Sequence, residues 1–412
     1  MTPEERRAFG GRIAELREAR GFTQKELAAE IGRTASWLSQ VERGVQPVNR
    51  IDVLRLLADG LGVSVQEIRP DMPAEPTPPE KNEPEEPNDL DQARLLISGH
   101  PVPEVLLGSG ASGPEPSPQQ LSEAVDHIWE LTHENRFTEL SAELGPLIPR
   151  IERATRTAPP KRQPEFYSVL ARTYQALAAA FVRQDEADAA WVAADRAICA
   201  AEHSGRPLEV FAGVFRLSQA FVRLKRFDQA EHAATTALNA LETYTARREE
   251  PEALSVTGAL FLALALVHAR AGERAKARLA LSEAKCVADR LGEDRNDYNL
   301  EFGPTNVAIQ TVSIAVELSD AGEAIERGME IDASGLSTER RARLLMDMGR
   351  AYAQRKQSGE ALTALLQAEE LSPELIHTHV AARDAIRDLV LVAGRSASPE
   401  LKELAVRADA QP

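Results

Sequence analysis

A chain of 412 residues is long enough for two or three domains. Its formal charge of −16, spread evenly, would exclude a protein that holds nucleic acid by bulk attraction. The two cysteines, Cys199 and Cys286, fall in unrelated helical segments without CxxC spacing, which excludes a disulfide framework or cysteine zinc site and fits a reducing cytoplasm.

The charge is not spread evenly. Residues 1–70 hold eleven Lys/Arg against ten Asp/Glu, leaving about −17 on the remainder, so only the front of the chain tolerates a phosphate backbone. Its start, MTPEERRAFGG, lacks the apolar run of a signal peptide. A first helix is expected over about residues 3–20, with Phe9, Ile13 and Leu16 on one face. Residues 21–44, GFTQKELAAEIGRTASWLSQVERG, then read as two short helices about a tight turn. Thr23 and Glu26 make a capping box, Leu27, Ala28 and Ile31 an apolar stripe, and Gly32 a stop. Thr34 caps the second helix, from which Leu38 and Val41 turn inward. Ala35, Ser36, Ser39 and Gln40 occupy its other face, the small and amide-bearing composition of a helix lying in a DNA major groove. Asn49 and Ser64 are expected caps of two further helices, which complete the small core with Ile51, Leu54, Leu57, Ala58, Leu61, Val65 and Ile68. Arg50, in the preceding loop, is either a phosphate or minor-groove contact or a solvated arginine.

TQKELAAEIGRTASWLSQVERG is similar to the lambda-repressor-like, Xre-type helix-turn-helix family, and the resemblance covers about the first seventy residues. It implies phosphate contacts from Gln24 and Arg43, base-facing positions at Ala35, Ser36, Ser39 and Gln40, and a DNA-facing surface that takes in Arg33, Thr34 and Arg50. Ala35 and Ser36 are shorter than the amides some relatives carry there, so which bases they select stays open. The rival reading is a head that docks only on protein.

Residues 71–120 form a proline-rich acidic linker. Seven prolines and a run of carboxylates between residues 70 and 88 preclude a buried core. One amphipathic helix is expected over residues 90–97. Residues 108–113 spell GxGxxG, but prolines follow and no strand enters, so a dinucleotide site is rejected.

From residue 121 to 412 the text is helical and repetitive. Small residues recur seven apart as Ala190/Ala197, Ala230/Ala237, Ala277/Ala284 and Ala361/Ala368, with a degenerate unit near Ala324. Tyr174, Leu177, Ala178 and Phe181 in the preceding helix share offsets with Val214, Leu217, Ser218 and Phe221, and with Leu345, Met348, Gly349 and Tyr352. The pattern is similar to the tetratricopeptide repeat, with Pro373 where that repeat ends and steps of about 40, 47, 47 and 37 residues. The fold class expected is therefore all-α: a five-helix head, the linker, and a tetratricopeptide-like α-solenoid whose terminal helix pairs cap the stack. The apolar stretch 255–269 is short for a bilayer and reads as a buried helix.

The repeat register turns Arg172, Gln175, Gln219, Asn306, Arg343 and Arg350 toward the concave side, where amides and guanidinium groups suit a peptide or an acidic ligand. The bland reading is that they are wet or salt-bridged. In FGPTNV, residues 302–307, Gly303 and Pro304 break the chain, Thr305 is the expected cap and Asn306 opens an inner helix. The joined architecture resembles peptide-pheromone-responsive regulators and the large helix-turn-helix regulators of actinomycetes. That resemblance implies transcriptional control.

Histidines 127, 133, 377 and 379 lack metal-ligand spacing and read as solvated, no catalytic motif sits in strand–loop context, and neither a cofactor nor a metal is expected. The sequence thus points to a cytoplasmic, nucleoid-associated regulator that is not an enzyme. Its partners would be a duplex DNA operator, a second copy of itself in a homodimer, and a peptide, small-molecule or protein effector in the solenoid, with no membrane. The alternative is a protein-interaction adaptor.

Overall fold

The computed structural model describes residues 3–31, 33–48, 51–63, 65–69, 88–99, 117–246, 248, 250–334 and 336–411. The protein is all-α, and it divides into two compact units, residues 1–86 and 87–412.

The first unit holds α1 (Pro3–Ala19), α2 (Gln24–Glu30), α3 (Ala35–Glu42), α4 (Ile51–Leu61) and α5 (Val65–Ile68). Phe9 and Ile13 of α1 meet Leu27, Ala28, Ile31, Leu38, Val41, Leu54, Leu57, Ala58, Leu61 and Ile68 in a single core. Leu16 packs at its edge. Gly32, Asn49 and Ser64, the expected stop and caps, lie outside the described residues, as do residues 70–87 and the GxGxxG segment.

The second unit begins with α6 (Asp91–Gly99), which buries Leu90, Ala93 and Ile97 against the following helices. Asn88 just before it accepts the amides of Phe137 and Thr138 at 2.7 and 3.1 Å, and so caps a helix whose own N-terminal residue Arg136 supplies no cap. The stack continues through α7 (Pro118–His133), α8 (Phe137–Thr157), α9 (Gln163–Arg183), α10 (Ala187–Ser204), α11 (Pro207–Arg223), α12 (Phe227–Thr245), α13 (Pro251–Arg270), α14 (Arg274–Leu291), α15 (Pro304–Glu317), α16 (Ala321–Glu330), α17 (Thr338–Gln354) and α18 (Ser358–Leu371). It ends with α19 (Pro373–Thr378), α20 (Val380–Ala393) and α21 (Pro399–Arg407).

Each helix packs on the next, and α7, α9, α11, α13, α15 and α17 also pack side by side as an inner layer. The alanine pairs of α10, α12, α14 and α18 are 0–4 % exposed, so the small residues are what lets the two layers approach. In the degenerate unit Ala321 and Gly328 flank Ala324, and a Cβ on Gly328 would lie 2.0 Å from the Met348 sulfur. The described helix over the 255–269 stretch is longer than the sequence suggests. α13 spans 20 residues and is long and apolar enough to cross a membrane, but it lies largely buried as an inner helix of the stack.

The coil closes on itself. Thr378 at the end of α19 donates to the Arg183 carbonyl of α9 at 3.1 Å, and Arg183 pairs with Glu339 of α17 at 2.7 Å. Asn135 reaches Ser372 at 3.4 Å. The concave groove expected from the sequence takes the form of a cavity between the inner helices that stays partly open to solvent.

FGPTNV fixes the loop that feeds this cavity. Phe302 is fully buried and its ring fills the space beside Gly258 on α13, where a Cβ would sit 1.9 Å from Cζ. A Cβ on Gly303 would meet the Asp294 backbone and carboxylate at 2.5 and 2.3 Å. Thr305 does not cap α15; Gly303 holds that position, and the Thr305 amide donates to Asp294 Oδ1 at 3.0 Å. Gly258→Ala should therefore cost roughly 1–3 kcal/mol through overpacking against Phe302. A thermal melt of the full chain checks it, with an unchanged Tm as the contrary result.

Candidate functional sites: the helix-turn-helix face and the central cavity

In the head the capping box is complete. The Glu26 amide donates to Thr23 Oγ1 at 3.2 Å, and the Thr23 amide donates to Glu26 Oε2 at 2.8 Å. Thr34 caps α3 by accepting the Trp37 amide at 3.2 Å. Leu38 and Val41 anchor α3 in the core, leaving Ser36 exposed and Ala35, Ser39 and Gln40 half-exposed on its other side. Arg33 is exposed, with its guanidinium 5.5 Å from the Trp37 ring centre. Arg43 is exposed and donates to the Ser39 carbonyl at 3.2 Å. Gln24 is half-buried, and its side-chain amide donates to Glu42 Oε2 at 2.6 Å. Arg50 lies outside the described residues.

Glu42 is also the acceptor of Arg17 Nε at 2.7 Å, a contact not read from the sequence. Both side chains are nearly buried, and Glu42 raises the Arg17 pKa further despite that burial. The pair ties α1 to the end of α3. The two helices also come close at Gly10, where a Cβ would lie 2.4 Å from the Val41 and Glu42 carbonyls. Gly44 has φ of +70° and faces the Arg7 backbone at 2.9 Å, so the run Glu42-Arg43-Gly44 is set by an ion pair and a turn.

In the second unit a cavity of about 230 Å³ is lined from α7, α9, α11, α13, α15, α17, α19 and the loop before α15. Gln219, Asn306, Arg343 and Arg350 are in its wall; Arg172 and Gln175 are not. Arg172 pairs with Asp126 and donates to Ser122 at 2.8 Å on α7. Gln175 is 1 % exposed and donates to the Glu209 carbonyl at 3.1 Å, between α9 and α11. The register was right to turn these two off the outer layer, but each points along the helix–helix seam instead of into the lumen.

Seven arginines and five carboxylates line the cavity. Glu317 serves both Arg350 at 3.0 Å and Arg270 at 3.5 Å. Burial works against its charge, yet these two cations hold its pKa below the usual carboxylate range. Glu339 serves Arg183 at 2.7 Å and Arg343 at 3.7 Å. Arg350 also pairs with Asp347 at 2.9 Å, and Arg340 with Glu301 at 3.3 Å. Among the described residues Arg223 pairs only with Asp185, at 3.7 Å, and burial pushes it down to about 10.

Arg216 has no carboxylate partner among the described residues. It is 6 % exposed, donates to the Asn299 carbonyl at 2.7 Å and Gln219 Oε1 at 3.2 Å, and keeps Nε without an acceptor. Its guanidinium stands 5.2 Å from the ring centres of both Trp129 and Phe215. Burial pushes its pKa down to about 9, which still leaves it charged at neutrality. The sequence reading passed over Arg216. Its signal is the spacing 216, 219, 223, one stripe of α11 left over once the apolar positions are assigned, repeated in α17 as 343, 347, 350.

His379 corrects the reading of the histidines as solvated. It is 7 % exposed in the cavity wall, its Nδ1 has no partner, and burial together with Arg223, Arg350, Arg343 and Arg270 pushes its pKa well below 6.5. His377 instead bonds Glu369 at 2.8 Å. Elsewhere Glu231, His268 and Glu273 come within metal-binding distance of one another, but Lys276 sits 3.4 Å from Glu231 and 3.0 Å from Glu273, supplying the positive charge an ion would bring. Cys199 and Cys286 are free and exposed.

Residues 8–70 match the family model described as a helix-turn-helix domain. A search of curated proteins finds no match. The solved structure of Bacillus thuringiensis PlcR in complex with the peptide PapR7 and DNA is similar over 91 % of this chain and 99 % of that one. Identity there is 13 % and the TM-score 0.33, a likeness too distant to assign any residue. What stands is a helix-turn-helix domain followed by a closed stack of helix pairs.

The buried neutral His379 makes a signed prediction. Its folded pKa lies below the unfolded value of about 6.5, so the unfolded chain takes up the proton and stability falls as pH drops below that value, by about 1 kcal/mol per unit. Melting temperatures from pH 7.5 to 5.5 should decline less steeply in His379→Gln than in the wild type. Parallel slopes would assign the acid sensitivity elsewhere.

Proposed function

We propose that the protein is a sequence-specific transcription regulator of the Xre type, as in the actinomycete regulators it resembles. In this reading α3 enters the DNA major groove, and the tetratricopeptide-like ring senses an effector. The observation that carries the proposal is α3 itself. It is capped by Thr34, pinned through Glu42, and presents Ser36, Ser39 and Gln40 between the exposed guanidinium groups of Arg33 and Arg43. Short side chains let a helix approach the base edges, the Gln40 amide can read them, and the arginines meet the flanking phosphates. Gln24 reaches a phosphate by releasing Glu42, which keeps Arg17 as its partner. Thr34, Ala35 and Arg50 complete the proposed DNA-facing set.

The domain plan in this reading is a head over residues 1–70, a linker over 71–120 and a sensor over 121–412. α6 packs on the last of these and belongs with it in space. A homodimer would place two heads in successive major grooves about 34 Å apart on a pseudo-palindromic operator. The ring would then act on the heads only through an effector that binds one arrangement better than the other. Such a protein works in the cytoplasm, at the nucleoid, and carries out no catalysis.

Selection from random duplexes with the full chain, followed by anisotropy titration, tests the reading. Gln40→Ala with Arg43→Ala should lose roughly 2–4 kcal/mol of operator affinity and flatten the salt slope by about one, with the fold intact by circular dichroism. A wild-type chain without salt-sensitive attraction to any duplex would overturn it, and a stable protein partner captured in its place would make the chain an adaptor.

A further inference from the structure

Among the described residues the cavity wall holds four buried polar atoms without a hydrogen-bond partner: Trp129 Nε1, Arg216 Nε, Ser218 Oγ and His379 Nδ1. Such groups are costly to bury unless something satisfies them. One of them belongs to a cation that pairs with no described carboxylate, and of the five carboxylates in the wall, set against seven arginines, Glu317 and Glu339 are each shared between two arginines while Asp347 and Glu301 each hold one. The lumen is therefore short of negative charge inside a chain that is otherwise strongly acidic.

The rest of the wall says what accompanies the charge. Trp129 and Phe215 flank Arg216, and Leu262, Leu266 and Ile309 extend the apolar surface. At about 230 Å³ the space falls below the roughly 300–1,000 Å³ of drug-sized pockets. Thr378–Arg183 and Arg183–Glu339 join α9 to α19 and α17, and the space left between the inner helices is small for an extended polypeptide.

We propose that the central cavity is a receptor site for a small organic acid, its anionic group on Arg216 and an apolar or aromatic body against Trp129 and Phe215. This rests on the reading of the ring as a sensor and narrows its effector to one chemical class. The Arg216 guanidinium gives the anion a charge-assisted hydrogen bond in a site partly withdrawn from water, which strengthens such a bond. The aromatic rings that now stack on the cation also receive the ligand's body.

The test uses two dyes that share an anilinonaphthalene body, 8-anilinonaphthalene-1-sulfonate and the uncharged N-phenyl-1-naphthylamine, titrated into the full chain without DNA. One sulfonate dye per chain should bind at least tenfold more tightly than the uncharged dye, and Arg216→Met should abolish that preference. The variant should also melt a few degrees higher than wild type when no dye is present, since it removes an unpaired buried charge. Phenylacetate should displace the sulfonate dye and phenylacetamide should not. Equal affinity of the two dyes for the wild type overturns the proposal whatever the variant does, and so does an unchanged preference in a folded Arg216→Met. Stronger displacement by a short peptide with a free C-terminal phenylalanine than by phenylacetate would overturn the small-acid assignment. Because no DNA is present, a failure here leaves the operator reading standing, and a failure of operator binding leaves this one.

Discussion

Closing a coil of helix pairs on itself takes the polar stripes of its inner helices out of bulk water, and most of what distinguishes the second unit follows from that constraint. In an open solenoid an inner arginine is solvated and needs no partner. Once Arg183 joins Glu339 and Thr378 seals α19 to α9, each inner charge must be satisfied from within. Glu317, Glu339, Asp347 and Glu301 do this for Arg350, Arg270, Arg183, Arg343 and Arg340, and none of the described carboxylates pairs with Arg216. Two aromatic faces, a carbonyl and an amide oxygen replace the missing carboxylate, which holds the cation in place without neutralising it.

The same constraint explains the loop before α15. The Asn299 carbonyl that accepts from Arg216 is delivered by a segment in which Tyr298, Asn299 and Glu301 all have positive φ, a conformation that side chains other than glycine adopt only when the surroundings impose it. The imposing groups are those of FGPTNV: Phe302 locked beside Gly258, Gly303 pressed on Asp294, and the Thr305 amide held by the Asp294 carboxylate. A motif that in sequence looks like a helix start is in space the anchor of a strained finger reaching into the lumen.

The all-α class and the layering of the repeats were legible because both depend on local spacing. Alanines seven apart on one helix face can serve only a close helix approach, and those of α10, α12, α14 and α18 are buried. The caps at Thr23 and Thr34 were legible for the same reason, since Thr23 and Glu26 are three residues apart wherever the rest of the chain goes. What sequence spacing did not carry was everything set by closure. Arg172 and Gln175 share a helix face with lumen residues but point into seams, because neighbouring helices cross them at an angle no periodicity encodes. Arg17 and Glu42 are 25 residues apart, and nothing in either local pattern announces the other. His379 looked solvated because the arginines that face it, on α11, α13 and α17, are distant in sequence and no local pattern announces them.

The construction of the lumen's wall also constrains how any occupant could act. The wall around such a ligand is not equally strong all round. Between successive helix pairs the seams are broad and apolar, whereas the first and last parts of the ring meet through a few polar contacts, Thr378 with the Arg183 carbonyl, Arg183 with Glu339, Asn135 with Ser372. Net polar contacts of this kind are worth about 1 kcal/mol each, well below the apolar seams they complete. The junction at α19 is thus the weakest of the seams, and an anion bound in the lumen would favour whichever arrangement of that junction it binds better, by its difference in affinity and by nothing more. On that argument the property an effector would change in the ring is whether its two ends are joined.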